Sequence, residues 1–289
     1  MKITAVIVTY NRVELLRKSV AHLLAQSRKP DSILIVDNAS SDETEAFCCE
    51  LMKERKEIEY LRLLENTGGA GGFYTGIKVA IKRGADYIWG MDDDAFAQRE
   101  ALEKIVTLLD SNRVSCFWSN CDDDQEFQKE MKPVKEWMFV GFFIPKEIVK
   151  KVGLPRKDFF IYLDDFEYAY RIRKKGFKIY KVRDSKIIHT AGTQKMFPDK
   201  KILGIKFRWS ELPDWKLYYR IRNYILVYPW NDWKAVLRRN DNNKWYGVVL
   251  KVSADKLGAS EAAGIDLGLP FEEKRRVFEG GKSNGRRST

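Results

Sequence analysis

Nowhere in these 289 residues does an apolar run reach the ~18 residues that cross a bilayer, so no membrane span is expected. Residues 1–8, MKITAVIV, hold one basic residue and no cleavage site of the signal-peptide kind. They read as a first β-strand, not as an export signal. Cysteine is sparse: Cys48, Cys49, Cys116 and Cys121 follow neither disulfide-framework nor zinc spacing, which predicts reduced thiols in a cytosolic protein. Histidine is sparser still, with only His22 and His189. There is no internal repeat and no low-complexity tract. Only the tail from about residue 280, rich in Gly, Ser and Arg, reads as disordered.

What is present is a chain that is 44% hydrophobic, enough for a core. Its length fits one large α/β domain, or a domain with an appendage. The net charge of +11 is uneven, because residues 200–289 carry 19 Lys and Arg against 10 Asp and Glu. Five of the eight tryptophans, Trp209, Trp215, Trp230, Trp233 and Trp245, lie in the same stretch. The expected division is therefore a nearly neutral domain, 1–199, and a basic, aromatic, helical C-terminal region, 200–289.

Residues 1–199 alternate. Short apolar runs predict strands over 3–8, 32–36, 59–64, 86–91, 114–119 and 140–144. Helical spacing covers 12–26, 44–56, 72–83 and 100–110. Such alternation implies βαβ units, a mostly parallel sheet and helices on both faces. Ligands of such sheets bind beyond the carboxyl ends of the strands.

Those ends hold the polar groups. The first strand runs into Thr9, Tyr10, Asn11 and Arg12, and the second into Asp37 and Asn38. The third runs into Asn66 and a glycine loop, GGAGGF over 68–73, whose backbone and following helix N-terminus suit a phosphate. The fourth ends in Asp92, Asp93 and Asp94. Unpaired carboxylates where a buried strand emerges do nothing for a core, and they suit a hard divalent ion such as Mn²⁺ or Mg²⁺. A solvated acidic turn before the helix near Glu100 is the plainer alternative.

A second acidic cluster is Asp164, Asp165 and Glu167, at the start of a helix expected to end before Gly176. These residues suit a helix N-terminus, and Glu167 can pair with Arg171 at i,i+4. The aromatic residues before them also suit a partly dry carboxylate tuned as a general base. His189 closes the β-rich stretch SKIIH, while His22 is expected to be structural or exposed.

Together these pieces resemble glycosyltransferase family 2, the inverting, nucleotide-sugar-dependent enzymes of the GT-A fold. The matching segments are VIVTYNR (6–12), VDNASSD (36–42), NTGGAGGF (66–73), MDDDA (91–95), DDFE (164–167) and His189. The glycine loop with MDDDA is most similar to the galactofuranosyltransferase branch, with rhamnosyltransferases second. YYRIRN (218–223) also resembles a segment of that branch. The resemblance implies a hexosyltransferase of cell-surface polysaccharide synthesis that uses UDP-galactofuranose, or alternatively dTDP-rhamnose. It implies that Thr9, Tyr10, Asn11, Arg12, Asp37, Asn66, Gly69, Asp92 and Asp93 bind the nucleotide sugar. Asp92, Asp94 and His189 would hold Mn²⁺ or Mg²⁺, and Asp165 would be the general base. A glycan or lipid-linked glycan would be the acceptor.

Two departures concern the acceptor side. Leu163 stands where galactofuranosyltransferases often have Trp, and Thr190, Ala191 and Gly192 stand where polymerising members place a Trp. The rival class is a non-enzymatic nucleic-acid-binding protein, suggested by the pI of about 9.3. Its excess charge lies after residue 200, away from the ordered motifs, so no nucleic-acid partner is expected. That basic aromatic region suits either an anionic membrane surface or packing on the catalytic domain. The expected location is the cytoplasm, with peripheral contact at the inner face of the membrane as the variant of that reading.

Overall fold

Seven consecutive buried residues form the first strand, β1 (Ile3–Thr9), and a strand covered on both faces keeps such a run dry. The computed structural model describes residues 1–109, 114–121, 127–190, 200–202, 205–207, 213–227, 233–239 and 245–251. They fall into two compact units, Met1–Thr193 and Gln194–Thr289.

In the first unit β1 leads to α1 (Val13–Leu24), whose Leu16, Ser19, Val20 and Leu23 recur at helical spacing on the buried side. Then follow β2 (Ser32–Asp37), α2 (Thr44–Glu54), β3 (Ile58–Arg62), α3 (Gly68–Lys82) and β4 (Tyr87–Asp92). The strands lie in the order β3-β2-β1-β4, all parallel. Thr9 pairs with Asp37, and Val8 with Asp92, so the polar strand ends share one edge. The expected α/β architecture is present.

Short elements complete the sheet: β5 (Ala95–Ala97), α4 (Ala101–Val106), β6 (Cys116–Asn120), β7 (Met131–Val134), β8 (Phe142–Pro145), α5 (Lys146–Val152), α6 (Asp164–Lys174) and β9 (Ile179–His189). β8 runs antiparallel between β4 and β6. β9 is long enough to serve three partners. Its first half pairs with β6 and β7, and its last residues pair with β5, setting Ala95 opposite His189.

The glycine run differs from its reading as a loop. It is the first turn and a half of α3, which begins at Gly68 and not at 72. Glycine disfavours a helix interior by about 1 kcal/mol, which is why local propensity misses this start. Close packing outweighs it: a Cβ on Gly72 or Gly76 would overlap Val8 or Val6, so these glycines let α3 lie directly on β1. Phe73, Trp137, Phe139, Phe142 and Tyr168 cluster beyond it in the core.

The second unit was expected to be helical. Among the described residues it holds one helix, α7 (Asp214–Val227), and two antiparallel strand pairs, β10 (Lys200–Ile202) with β11 (Ile205–Phe207) and β12 (Trp233–Arg239) with β13 (Trp245–Lys251). No described helix is long and apolar enough to cross a membrane. The tail from residue 280 lies outside the described residues.

Candidate active site

The loops that follow β1 and β2 lock into each other. Asn11 Oδ1 accepts the Ser41 backbone N–H at 2.7 Å, Ser40 Oγ accepts the Asn11 N–H at 2.9 Å, and Asp42 accepts the N–H of Val13. Asn11 (φ 52°) and Ala39 (φ 61°) adopt left-handed backbone to make this possible. The other three non-glycine residues with positive φ are Phe160, Tyr162 and Leu163, just before α6. Backbone strain in the described residues thus gathers along one rim, as it does at functional sites.

Asp37 is fully buried at the end of β2. Tyr60 Oη donates to its carboxylate at 2.6 Å and the Ser40 N–H at 2.8 Å, with Arg62 at 3.7 Å. Asn38 Oδ1 accepts from Thr67, and Asn66 Oδ1 accepts from the Gly68 N–H at 2.9 Å. These bonds fix the entry into α3. Gly69 differs from its neighbours: a Cβ there would meet nothing within 4 Å, so packing does not require glycine at this position. Tyr10, just after β1, is exposed.

The three aspartates at the end of β4 have three different settings. Asp93 is fully buried: it accepts from Thr9 Oγ1 at 2.7 Å and lies against the Arg12 guanidinium, with Nη2 at 2.6 Å and Nε at 3.2 Å. Asp94 Oδ2 takes Arg12 Nη1 at 2.9 Å, and Asp94 Oδ1 faces His189 Nε2 at 3.3 Å. Asp92 completes a cluster in which ligand atoms of Asp92, Asp94 and His189 lie within 4.8 Å of one another. Burial, then the charges of Asp94 and Asp93, push the Asp92 carboxyl up to about 8. Burial pushes Asp93 up to about 6 against the pull of Arg12. Burial acts the same way on Asp94, but contact with His189 and Arg12 outweighs it and holds that carboxyl below the usual range.

This set fits a divalent ion. Asp94 Oδ1 is buried and takes no well-formed hydrogen bond from the described residues beyond its 3.3 Å contact with His189 Nε2, itself a member of the cluster. Two carboxylates with one imidazole suit Mn²⁺, and an ion here would reverse the repulsion that raises Asp92.

Asp164 and Asp165 open α6 behind the strained turn 160–163. Gly68 (φ 71°) seats that turn, because a Cβ there would overlap the Phe160 carbonyl oxygen, which accepts the Ala70 N–H at 3.2 Å. Burial raises both carboxyls. Asp165 is raised further by Asp164 and by Asp92, so it shares the field of the Asp92–Asp94–His189 cluster. Asp165 Oδ1 accepts the Phe166 N–H at 2.8 Å. Glu167 is spent on Arg171, at 2.6 and 3.0 Å, as the i,i+4 spacing predicts. His22 Nδ1 lies 3.0 Å from the Ala97 carbonyl, a structural contact.

Sequence reasoning missed Tyr60 and Arg62 as the partners of Asp37. It also missed β5, the strand that brings His189 to Asp94. Three residues, AFA, between an acidic turn and a helix carry too little pattern to be read as a strand.

The sequence model of the family described as Glycosyl transferase family 2 matches residues 4–202. The galactofuranosyltransferase GlfT1 of Mycolicibacterium smegmatis is 27% identical over 259 residues, covering 78% of this chain and 83% of that protein. The dTDP-rhamnosyl transferase RfbF of Shigella flexneri is 24% identical, covering 78% and 79%. Among solved structures, the mannosyltransferase PcManGT of Pyrobaculum calidifontis in complex with GDP-Man and Mn²⁺ superposes with a TM-score of 0.56 at 17% identity, over 67% of this chain and 58% of that one. TarS 1–349 of S. aureus in complex with UDP gives 0.52 at 15%, over 65% and 59%. The chain thus spans less than two thirds of either solved structure, and these two likenesses speak for the fold.

Proposed function

The chain belongs to glycosyl transferase family 2 and is a glycosyltransferase, and from that premise we propose that it moves a hexose from a nucleoside-diphosphate sugar to a glycan hydroxyl in one inverting displacement that needs Mn²⁺ or Mg²⁺. One observation supports this reading: ligand-type atoms of Asp92, Asp94 and His189 lie within 4.8 Å of one another at the strand ends, within electrostatic reach of the raised Asp165 carboxyl.

We assign the roles as follows. Asp92, Asp94 and His189 hold the ion, which when bound supplies positive charge for the diphosphate leaving group. Thr9, Asp37, Asn66 and Asp93, whose side-chain oxygens are already engaged, shape the donor pocket. Tyr10, Asn11, Arg12 and the backbone at Gly69 line its open side, where the start of α3 favours an anion. Asp165 takes the proton of the acceptor hydroxyl. That oxygen bonds the anomeric carbon from the face opposite the nucleotide, the bond to the diphosphate oxygen breaks, and the configuration inverts. The base has to be ionised first. Cation charge at Asp92 lowers the Asp165 pKa toward that state.

The donor we propose is UDP-galactofuranose, supported by the likeness to GlfT1 over most of both chains. dTDP-rhamnose is the second reading, supported by RfbF. The acceptor is a glycan or lipid-linked glycan. The place of action is the cytoplasm, with residues 200–289 meeting an anionic leaflet through their nine excess positive charges. A panel of UDP-, dTDP- and GDP-sugars, each with Mn²⁺ and with chelator, tests the reading. Turnover of none of them, or full turnover in chelator, sinks it. Co-sedimentation with anionic vesicles, weakening with salt, tests the membrane contact.

A further inference from the structure

All three nitrogens of the Arg12 guanidinium are spent on aspartates. Nε and Nη2 straddle the two oxygens of Asp93, at 3.2 and 2.6 Å, and Nη1 takes Oδ2 of Asp94 at 2.9 Å. Asp93 is itself fixed by Thr9 Oγ1 and is fully buried, so it cannot swing away with the arginine. The other oxygen of Asp94, Oδ1, is buried and faces His189 Nε2 at 3.3 Å. We propose that Arg12, anchored on Asp93, is the positioning residue of the cation centre: it occupies one oxygen of Asp94 so that the other stays aimed between Asp92 and His189. This rests on the reading of Asp92, Asp94 and His189 as metal ligands.

The fork geometry matters. A guanidinium presents donors in a fixed plane that matches two carboxylates at once, whereas an ammonium offers a point charge on a flexible stem. Groups behind metal ligands typically change metal affinity by about 10- to 100-fold when removed.

The rival account makes Arg12 a stand-in cation that competes with the metal. The two accounts differ in sign. Removing a positive charge beside a divalent site favours the ion by simple Coulomb repulsion, so a competitor's loss tightens binding. A positioning residue's loss weakens it.

The experiment is a Mn²⁺ titration of the full chain without donor, with free Mn²⁺ followed by electron paramagnetic resonance. It compares wild type with Arg12→Gln and Arg12→Lys, with melting temperature as the folding control. Arg12→Gln is expected to bind Mn²⁺ at least about tenfold more weakly, although it has lost a cation. Arg12→Lys keeps the charge, loses the fork and is expected to weaken binding too. It carries the test alone if Arg12→Gln does not fold. Binding by Arg12→Gln as tight as wild type or tighter, or by Arg12→Lys unchanged, overturns the inference while leaving the metal centre intact. No binding by wild type removes the metal centre and this inference with it.

Discussion

Asp92, Asp93 and Asp94 at the end of β4, and Asp164 and Asp165 at the start of α6, are all drawn out of water, yet they are held by different means. The first group is compensated by side chains: Arg12 lies on two of its members, Thr9 on one and His189 on another. Burial dominates the second, and only nearby backbone N–H groups act to hold its carboxyls down. Of the five only Asp94, with Arg12 and His189 beside it, is held below the usual carboxylate range, which suits metal ligation, whereas Asp165, with backbone donors and a buried neighbour, is raised and suits proton transfer. The difference teaches that acidity alone does not assign a role; the company of each carboxylate does.

The comparison breaks most visibly at Asp94. Asp94→Ala removes a proposed ion ligand and should cost roughly 10³-fold or more in transfer, since metal polarisation contributes several kcal/mol to the transition state. The fold should survive, and Mn²⁺ binding should disappear in the same titration. Near-wild-type turnover in this variant would undo the distinction.

Asp165→Asn keeps the shape and removes the proposed base. Turnover should fall by about 10²- to 10⁴-fold with Mn²⁺ affinity kept, as steady-state kinetics beside a metal titration would reveal. The acidic limb of the wild-type kcat/KM profile should lie above the ordinary carboxylate range and vanish in the variant. If Asp164→Asn is the dead variant instead, the roles within the pair are exchanged.

Gly68→Ala touches the pair and spares the triplet. Its Cβ would overlap Phe160 O and sit at φ 71°, so the turn before α6 must move, at a cost of about 1–3 kcal/mol by overpacking. Lower melting temperature and lower turnover should accompany unchanged Mn²⁺ affinity. Gly69→Ala, with open space around it, should leave stability within about 0.5 kcal/mol and report only through the KM for donor. Equal melting temperatures for the two variants would show that the turn is not seated on Gly68.

The mildest test is pH. Burial lifts Asp92 to about 8 and Asp93 to about 6. An acid raised above its unfolded pKa of about 4 favours the folded state below that value, and this contribution is lost as pH rises through the folded pKa. Asp164 and Asp165 act in the same direction. Metal-free protein should therefore melt lower at pH 8 than at pH 5. Mn²⁺ at pH 8 should raise the melting temperature by several degrees, since a ligand at 100 times its Kd adds about 2.7 kcal/mol. A metal-free melting temperature that climbs across this window would contradict the raised carboxyls.

Much of the site was legible. Continuous apolar runs such as ITAVIVT read as buried strands, and each ended within a residue or two of its expected limit, because a parallel strand buried on both faces has no polar residue until it emerges. The polar ends, the triplet, the pair and the Glu167–Arg171 contact all followed from local pattern. The glycine run was misread because its propensity argues for a loop, while its cause is the nearness of Val6 and Val8, which are far away in sequence. Tyr60 and Arg62 were overlooked because nothing in β3 itself marks them as partners of Asp37.

By itself, then, the sequence determined the alternating architecture, the edge at which polar groups gather and the residue types available there, since burial period and strand termination are local properties. Only the tertiary structure decided which carboxylate answers to which partner. His189 reaches Asp94 through the pairing of Ala95 with a strand ending more than ninety residues later, and Arg12 reaches Asp93 and Asp94 because β1 and β4 are neighbours in the sheet. Such contacts depend on strand order and register, and no local pattern encodes them.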